Sequence, residues 1–168
     1  MARLSARAEG EGGEFRRAGG DPLLWPGVAI GIGLAGTLDE VILHQILHWH
    51  HFYDRSTAAV GLLSDGLFHV FSTGMLVGGL LWLLRLRRRL PASLERLYAG
   101  VYLGLGGFNL YDGTIQHKVL KLHQIRPEAR DQLPYDVVFV AIALAFVLLG
   151  VAMLRLSRSA PRPATPGR

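Results

Sequence analysis

The sequence predicts an all-α fold: an integral membrane four-helix bundle, with both termini cytoplasmic and a first helix that resembles the third. Three observations lead there. Half of the 168 residues are hydrophobic, and they gather into four blocks: Trp25 to about Trp49, Asp65 to Leu84, Leu97 to about Leu122, and Pro134 to Leu154. A helix needs roughly 20 residues to cross the hydrocarbon core, and each block is about that long or longer. Arginines supply the second observation. They crowd the N-terminal tail (Arg3, Arg7, Arg16, Arg17), the link between blocks two and three (Arg85, Arg87, Arg88, Arg89, Arg96) and the C-terminal tail (Arg155, Arg158, Arg162, Arg168). The other two links hold Arg55 alone, or Arg126 and Arg130 mixed with Glu128 and Asp131. By the positive-inside rule, the tails and the central link are cytoplasmic. The third observation is an internal repeat. An offset of 73 places Gly27, Val28, Gly31, Gly33, Asp39, Ile42, His44, Leu47 and His50 on Gly100, Val101, Gly104, Gly106, Asp112, Ile115, His117, Leu120 and His123. Both helices run from inside to outside, so the repeat is a parallel one.

Taken in order, residues 1–24 read as a polar, Gly-rich, disordered cytoplasmic tail without the pattern of a cleavable signal. Residues 25–157 form the transmembrane domain, and 158–168 a Ser/Pro/Arg-rich second tail. Pro26 suits the first turn of helix one, where a missing N–H is harmless. Ser64 or Asp65 is placed to cap helix two, leaving residues 52–63 as an outer link. Pro91 lies in the cytoplasmic link, and Ser93 is a candidate cap for helix three. Asp131 is a candidate cap for helix four, with Pro134 in its first turn. Helices two and four match weakly, at an offset of 71 that pairs Asp65 and Phe68 with Asp136 and Phe139.

Lys and Arg number 18 against 13 Asp and Glu, a formal charge of +5. Because the excess follows the topology, it argues for orientation and contact with the lipid bilayer, not nucleic-acid binding. There is no cysteine, which rules out disulfides, thiolate metal sites, covalent c-type haem and Cys-linked lipid.

All seven histidines fall in the outer half of the expected bundle or at its rim: His44, His48, His50, His51, His69, His117 and His123. Asp65 and Asp136 begin helices two and four on that side, and Asp39 and Asp112 lie about a turn deeper than His44 and His117. Ionisable groups within a span are costly and usually face the bundle interior with partners. Imidazole and carboxylate together suit Zn, Fe or Cu, and imidazole pairs also ligate haem iron. On a straight helix, Asp39 and His50 share a face, as do Asp112 and His123. His44 falls about 140° from Asp39, on a stripe with Glu40, His48 and His51. Asp65 and His69 are i and i+4. Plainer roles exist for several of these. His50 and His51, beside Trp49, Phe52 and Tyr53, also suit an interfacial aromatic belt. His44, His69 and His117 also suit buried hydrogen bonds, and Asp39 and Asp112 interhelical polar contacts. Glu40 has no evident partner. The G-x-G-x-x-G match at Gly31–Gly36 lies within a span, and its glycines read as close helix contacts. The run H-x-x-x-H-x-H-H matches one box of the membrane di-iron desaturases, but the other helices lack further boxes.

The segments LDEVILHQILHWHH, SDGLFH and GLGGFNLYDGTIQHKVLKLHQIR resemble the signature blocks of a prokaryotic membrane family, domain of unknown function 2243. The likeness spans roughly residues 25 to 157 and matches that pattern at Asp39, His44, His50, His51, Asp65, Gly66, His69, Gly113, His117 and His123. Glu40 stands where Gly is usual, His48 where Gln is, Asp112 where Glu is, and Gln124 where a second His is common. The family has no established activity. The resemblance implies a link to respiratory-oxidase or assembly proteins, whose genes often lie near those of its members.

The resulting expectation is a plasma-membrane protein binding a transition metal (Zn, Fe or Cu) or haem b on its outer side. His44, His69 and His117 are expected as ligands, with His50 and His123 as a second set. Asp39, Asp65 and Asp112 are expected to orient the ligands or complete the shell. His44 and His117 are the natural pair for bis-His haem. Two other expectations are a proton-coupled transporter or channel, and a scaffold subunit without cofactor. No nucleophile or acid–base pair can be assigned.

Overall fold

The computed structural model describes residues 22–87 and 94–159. The two expected tails, apart from residues 22–24 and 158–159, lie outside the described residues, as do Pro91 and the expected cap Ser93.

The described chain is helical, without strands. Helix α1, Leu24–Asp39, continues into a π-helical stretch, Glu40–Ile46. Helix α2 is Ala58–Arg87. Helix α3, Leu94–Tyr111, continues likewise into a π-helical stretch, Asp112–Val119, and α4 is Leu133–Ser159. Pro26 and Pro134 sit in the first turns of α1 and α4, as their missing N–H groups allow. Asp131 accepts the Leu133 N–H at 3.0 Å. The expectation for the start of helix two is corrected. The run Ala58–Leu63 is already helical, and Thr57 caps it by accepting the Val60 and Gly61 N–H groups. Ser64 and Asp65 lie inside α2, where their side chains instead receive the Tyr53 and Phe52 N–H groups at 3.0 and 2.7 Å.

Three helical segments are long and apolar enough to cross a membrane: Leu24–Ile46, Ala58–Leu86 and Leu133–Ser157. The segment from Leu94 to Val119 is not among them, because its glycines, its tyrosines, Asn109 and Asp112 lower its hydropathy. Apolar side chains line the outside: Leu62, Leu63, Leu67 and Val70 on α2, and Val137, Val138, Ile142 and Leu148 on α4. Lipid, not water, suits such a surface.

Helices α1 and α3 form the central pair, with α2 packed on α1 and α4 on α3. Glycine permits the central contact. A methyl on Gly27 would strike the Leu97 carbonyl oxygen, and one on Gly100 the Leu24 oxygen. Gly31 and Gly104 stand in the same relation to Val101 and Val28. Because Gly27 meets Gly100 and Gly31 meets Gly104, the two helices run in the same direction with backbones in contact, as small residues allow in membranes. The flanking helices dock at matching places: Gly33 against Ser72 and Leu76, and Gly106 against Ala143 and Val147. The interior is thus closed by small residues at one end. At the other it is filled with polar ones.

Candidate metal centre

The π-helical stretches build this polar end. Asp39 and His44 are five residues apart, as are Asp112 and His117. On an α-helix that spacing turns the side chains about 140° from each other. Where bonding shifts to i→i+5, they come onto one face. The wide turns close with Leu47 N–H to the Ile42 oxygen at 2.9 Å and Leu120 N–H to the Ile115 oxygen at 2.7 Å. His48 and Lys121 then take positive φ, 50° and 51°, and the chain reverses. The reversal carries His50 and His123 back over the helix ends.

Four imidazoles meet there, all buried: His44, His50, His117 and His123. Ring centroids are 4.6 Å apart for His44 and His50, and 4.5 Å for His117 and His123. The cross pairs His44–His123 and His50–His117 both lie at 6.4 Å, and His50 stacks on His123 at 4.7 Å. His50 donates from Nδ1 to the Ile125 carbonyl at 2.9 Å, and His123 from Nδ1 to the Phe52 carbonyl at 2.9 Å. A carbonyl only accepts, so Nδ1 carries a proton, and in the neutral ring Nε2 keeps a lone pair.

Carboxylates surround the rings. His44 Nε2 is 3.5 Å from Asp39 Oδ2, and His117 Nε2 is 3.0 Å from Asp112 Oδ2. His123 Nε2 lies 3.5 Å from the other Asp112 oxygen, which accepts the Gln116 amide at 2.8 Å. The Nδ1 side of His44 faces Glu40 Oε2 at 2.8 Å and Asp65 Oδ1 at 3.2 Å. Asp65 also contacts Nδ1 of the half-exposed His51 at 2.6 Å. An apolar cavity of about 480 Å³, lined by Phe52, Phe68, Phe108 and Gln116 among others, adjoins the cluster.

Several of these nitrogen–oxygen contacts are short but misaligned for N–H···O bonds. Both ring nitrogens of His44 and of His117, and Nε2 of His50 and His123, have no hydrogen-bond partner. An unsatisfied buried polar group costs about 1–3 kcal/mol, so such a concentration calls for an explanation. Imidazole nitrogens and carboxylate oxygens without thiolate are the donor set of Zn, Fe or Cu. The ligand atoms of Asp39, His44 and His50 lie within 4.8 Å of one another, as do those of Asp112, His117 and His123, and those of Glu40, His44 and Asp65. His50 and His123 lie past the helix ends. Burial pushes His50 down to about 3, which keeps the ring neutral. Burial alone would lower His123 too, but the Asp112 carboxylate beside it raises it above the usual imidazole value.

Residues 26–157 match the family model described as "Predicted membrane protein (DUF2243)". The chain belongs to that family. No curated protein and no solved structure matches the chain.

Within this DUF2243 chain, the structure brings together seven of the eight residues singled out from sequence: His44, His50, His117, His123, Asp39, Asp65 and Asp112. It does not bring in His69, which is exposed. The buried stripe of α2 runs through Asp65, Phe68 and Ser72, and His69 falls beside that stripe on the outward face. His48 is exposed as well. Three participants had gone unassigned. Glu40 is 1 % exposed, lies against His44, and accepts the Gln45 amide at 2.8 Å. Gln116 holds Asp112, and His51 holds Asp65. An acid within an apolar span was the available signal for Glu40, since such a group needs a partner.

Proposed function

We propose that this protein binds transition metal in the His/Asp cluster, at the outer face of the cytoplasmic membrane. Six buried imidazole nitrogens without hydrogen-bond partners, set among carboxylates, carry the reading. The ligands are His44, His50, His117 and His123 with Asp39 and Asp112. Glu40 and Asp65 back His44, and His69 takes no part. A metal ion is favoured over haem b because the four rings already touch, leaving no slot for a porphyrin between His44 and His117.

The proposed topology has four spans. Helix α3 crosses because it lies along α1, glycine on glycine, and its charged residues are near its ends. The Arg-rich tails and central link are then cytoplasmic, and the cluster faces out. The paired contacts 73 residues apart support an internal duplication: His44–His50 with His117–His123, and His50–Ile125 with His123–Phe52.

The test is elemental analysis of protein purified in mild detergent and dialysed against Zn(II), Fe(II) or Cu(II). Tightly held metal that disappears in His44→Ala combined with His117→Ala is expected. Metal no higher than in that variant overturns the reading, and a Soret band would replace the ion with haem.

A proton-coupled transporter or channel is the second reading. Its support is the path from half-exposed His51 through Asp65 to His44. Farther along the bundle, the buried polar groups are the hydroxyls of Thr37 and Ser72 among the described residues, which gives that path little continuation. Proton flux in proteoliposomes that vanishes with Asp39→Asn or Asp112→Asn would favour it. Association with respiratory-oxidase or assembly proteins, as the family resemblance implies, is tested by co-purification.

A further inference from the structure

Resting on the metal-binding reading, we infer that the cluster is a two-ion centre with one ion in each half, and that the halves differ in affinity. Each half closes on its own: Asp39, His44 and His50 in one, Asp112, His117 and His123 in the other, with ligand atoms within 4.8 Å in each. Two imidazoles and one carboxylate form a complete ligand face for a first-row metal, leaving positions open for water or a bridging oxygen. The stacked rings of His50 and His123 stand between the halves, each anchored through Nδ1, so that each Nε2 serves its own half.

Charge gives the same count. Asp39, Glu40, Asp65 and Asp112 are four carboxylates with side chains 2–9 % exposed, held around the four imidazoles. Buried charge must be paired or bound to metal. With all four deprotonated, as carboxylate ligands are, two divalent ions balance them and one leaves two negative charges over.

The halves are unequal on the far side of the His44 and His117 rings. Nδ1 of His44 faces Glu40 and Asp65. The residue 73 positions after Glu40 is Gly113, which packs on Phe139, and Phe139 lies 5.7 Å from the His117 ring. Asp136, which the weaker offset of 71 pairs with Asp65, is bound to Lys118 instead. A carboxylate behind a ligating imidazole raises its basicity, and losing such a partner typically costs about 10–100-fold in metal affinity. The half containing His44 therefore fills first.

The experiment is a Zn(II) titration of the purified full chain, with bound metal counted by elemental analysis. Two equivalents are expected, taken up in two steps. Combining His117→Ala with His123→Ala should leave one equivalent at the tighter affinity. Combining His44→Ala with His50→Ala should leave one at the weaker. Wild-type protein loaded with Mn(II) supplies a readout that needs no variant, since two ions this close give an exchange-coupled paramagnetic resonance spectrum. One equivalent in the wild type, lost in both double variants, with an uncoupled Mn(II) spectrum, overturns the two-ion centre and leaves metal binding standing. No bound metal at all overturns both.

Discussion

His50 and His123 stack 4.7 Å apart, and each gives its Nδ1 proton to a carbonyl two residues beyond the other, Ile125 for His50 and Phe52 for His123. On the metal-binding reading, each ring therefore has two separable tasks, a structural one at Nδ1 and a ligating one at Nε2. Asparagine places an amide N–H near the position of Nδ1 and nothing at that of Nε2. His50→Asn and His123→Asn should keep the metal-free protein's thermal stability while weakening metal binding at least about tenfold. The corresponding alanine variants should also lose about 1–3 kcal/mol, because a buried carbonyl is left unpaired. Melting in detergent with and without Zn(II) separates the two effects.

Glu40 is the test of support behind a ligand. With Oε2 2.8 Å from His44 Nδ1, Glu40→Gln should lower metal affinity by about 10–100-fold while the fold persists. His69→Ala should change neither affinity nor stoichiometry. If the His69 variant lost metal and the Glu40 variant did not, the assignment of α2 to the cluster's support would be wrong.

The contact between α1 and α3 admits no side chain. Gly31→Ala and Gly104→Ala put a methyl into the opposing backbone and should each destabilise by about 1–3 kcal/mol or more. Gly74→Ala, at a position with open space around it, should be neutral or stabilise by up to about 1 kcal/mol. Thermal unfolding followed by size-exclusion chromatography reads the difference.

Much of this arrangement was legible in the sequence. The 73-residue offset named the glycines that meet and the Asp and His residues that gather, because both kinds of contact depend on side-chain size or chemistry at fixed spacing. What a straight-helix reading could not supply was the facing of His44. A rotation of 100° per residue separated it from Asp39, whereas the widened turn from Glu40 brings the i+5 pair together and carries Glu40 inward. The same assumption put His50 on a helix, although the helix ends at Ile46 and the reversal at His48 delivers the ring. His69 failed for a related reason. An i+4 spacing from Asp65 suggested a shared face, but the packing stripe of α2 lies to the other side, through Phe68.

Topology can be checked cleanly because the chain has no native cysteine. Thr57→Cys, in the link before α2, should react with a membrane-impermeant maleimide on intact cells. Ala164→Cys, in the Arg-rich tail, should react only after permeabilisation. The reverse pattern would move the cluster to the cytoplasmic face.

The crossed bonds from His50 to Ile125 and from His123 to Phe52 also constrain how the protein is made. While the ribosome is still extending α3, His44 lacks its neighbour His123, and His50 lacks its acceptor at Ile125. The centre can close only once the chain has passed residue 125. On the proposed metal-binding reading, metal is acquired after that point, from whatever compartment bathes that face, and a protein truncated before His123 should bind less metal than the full chain.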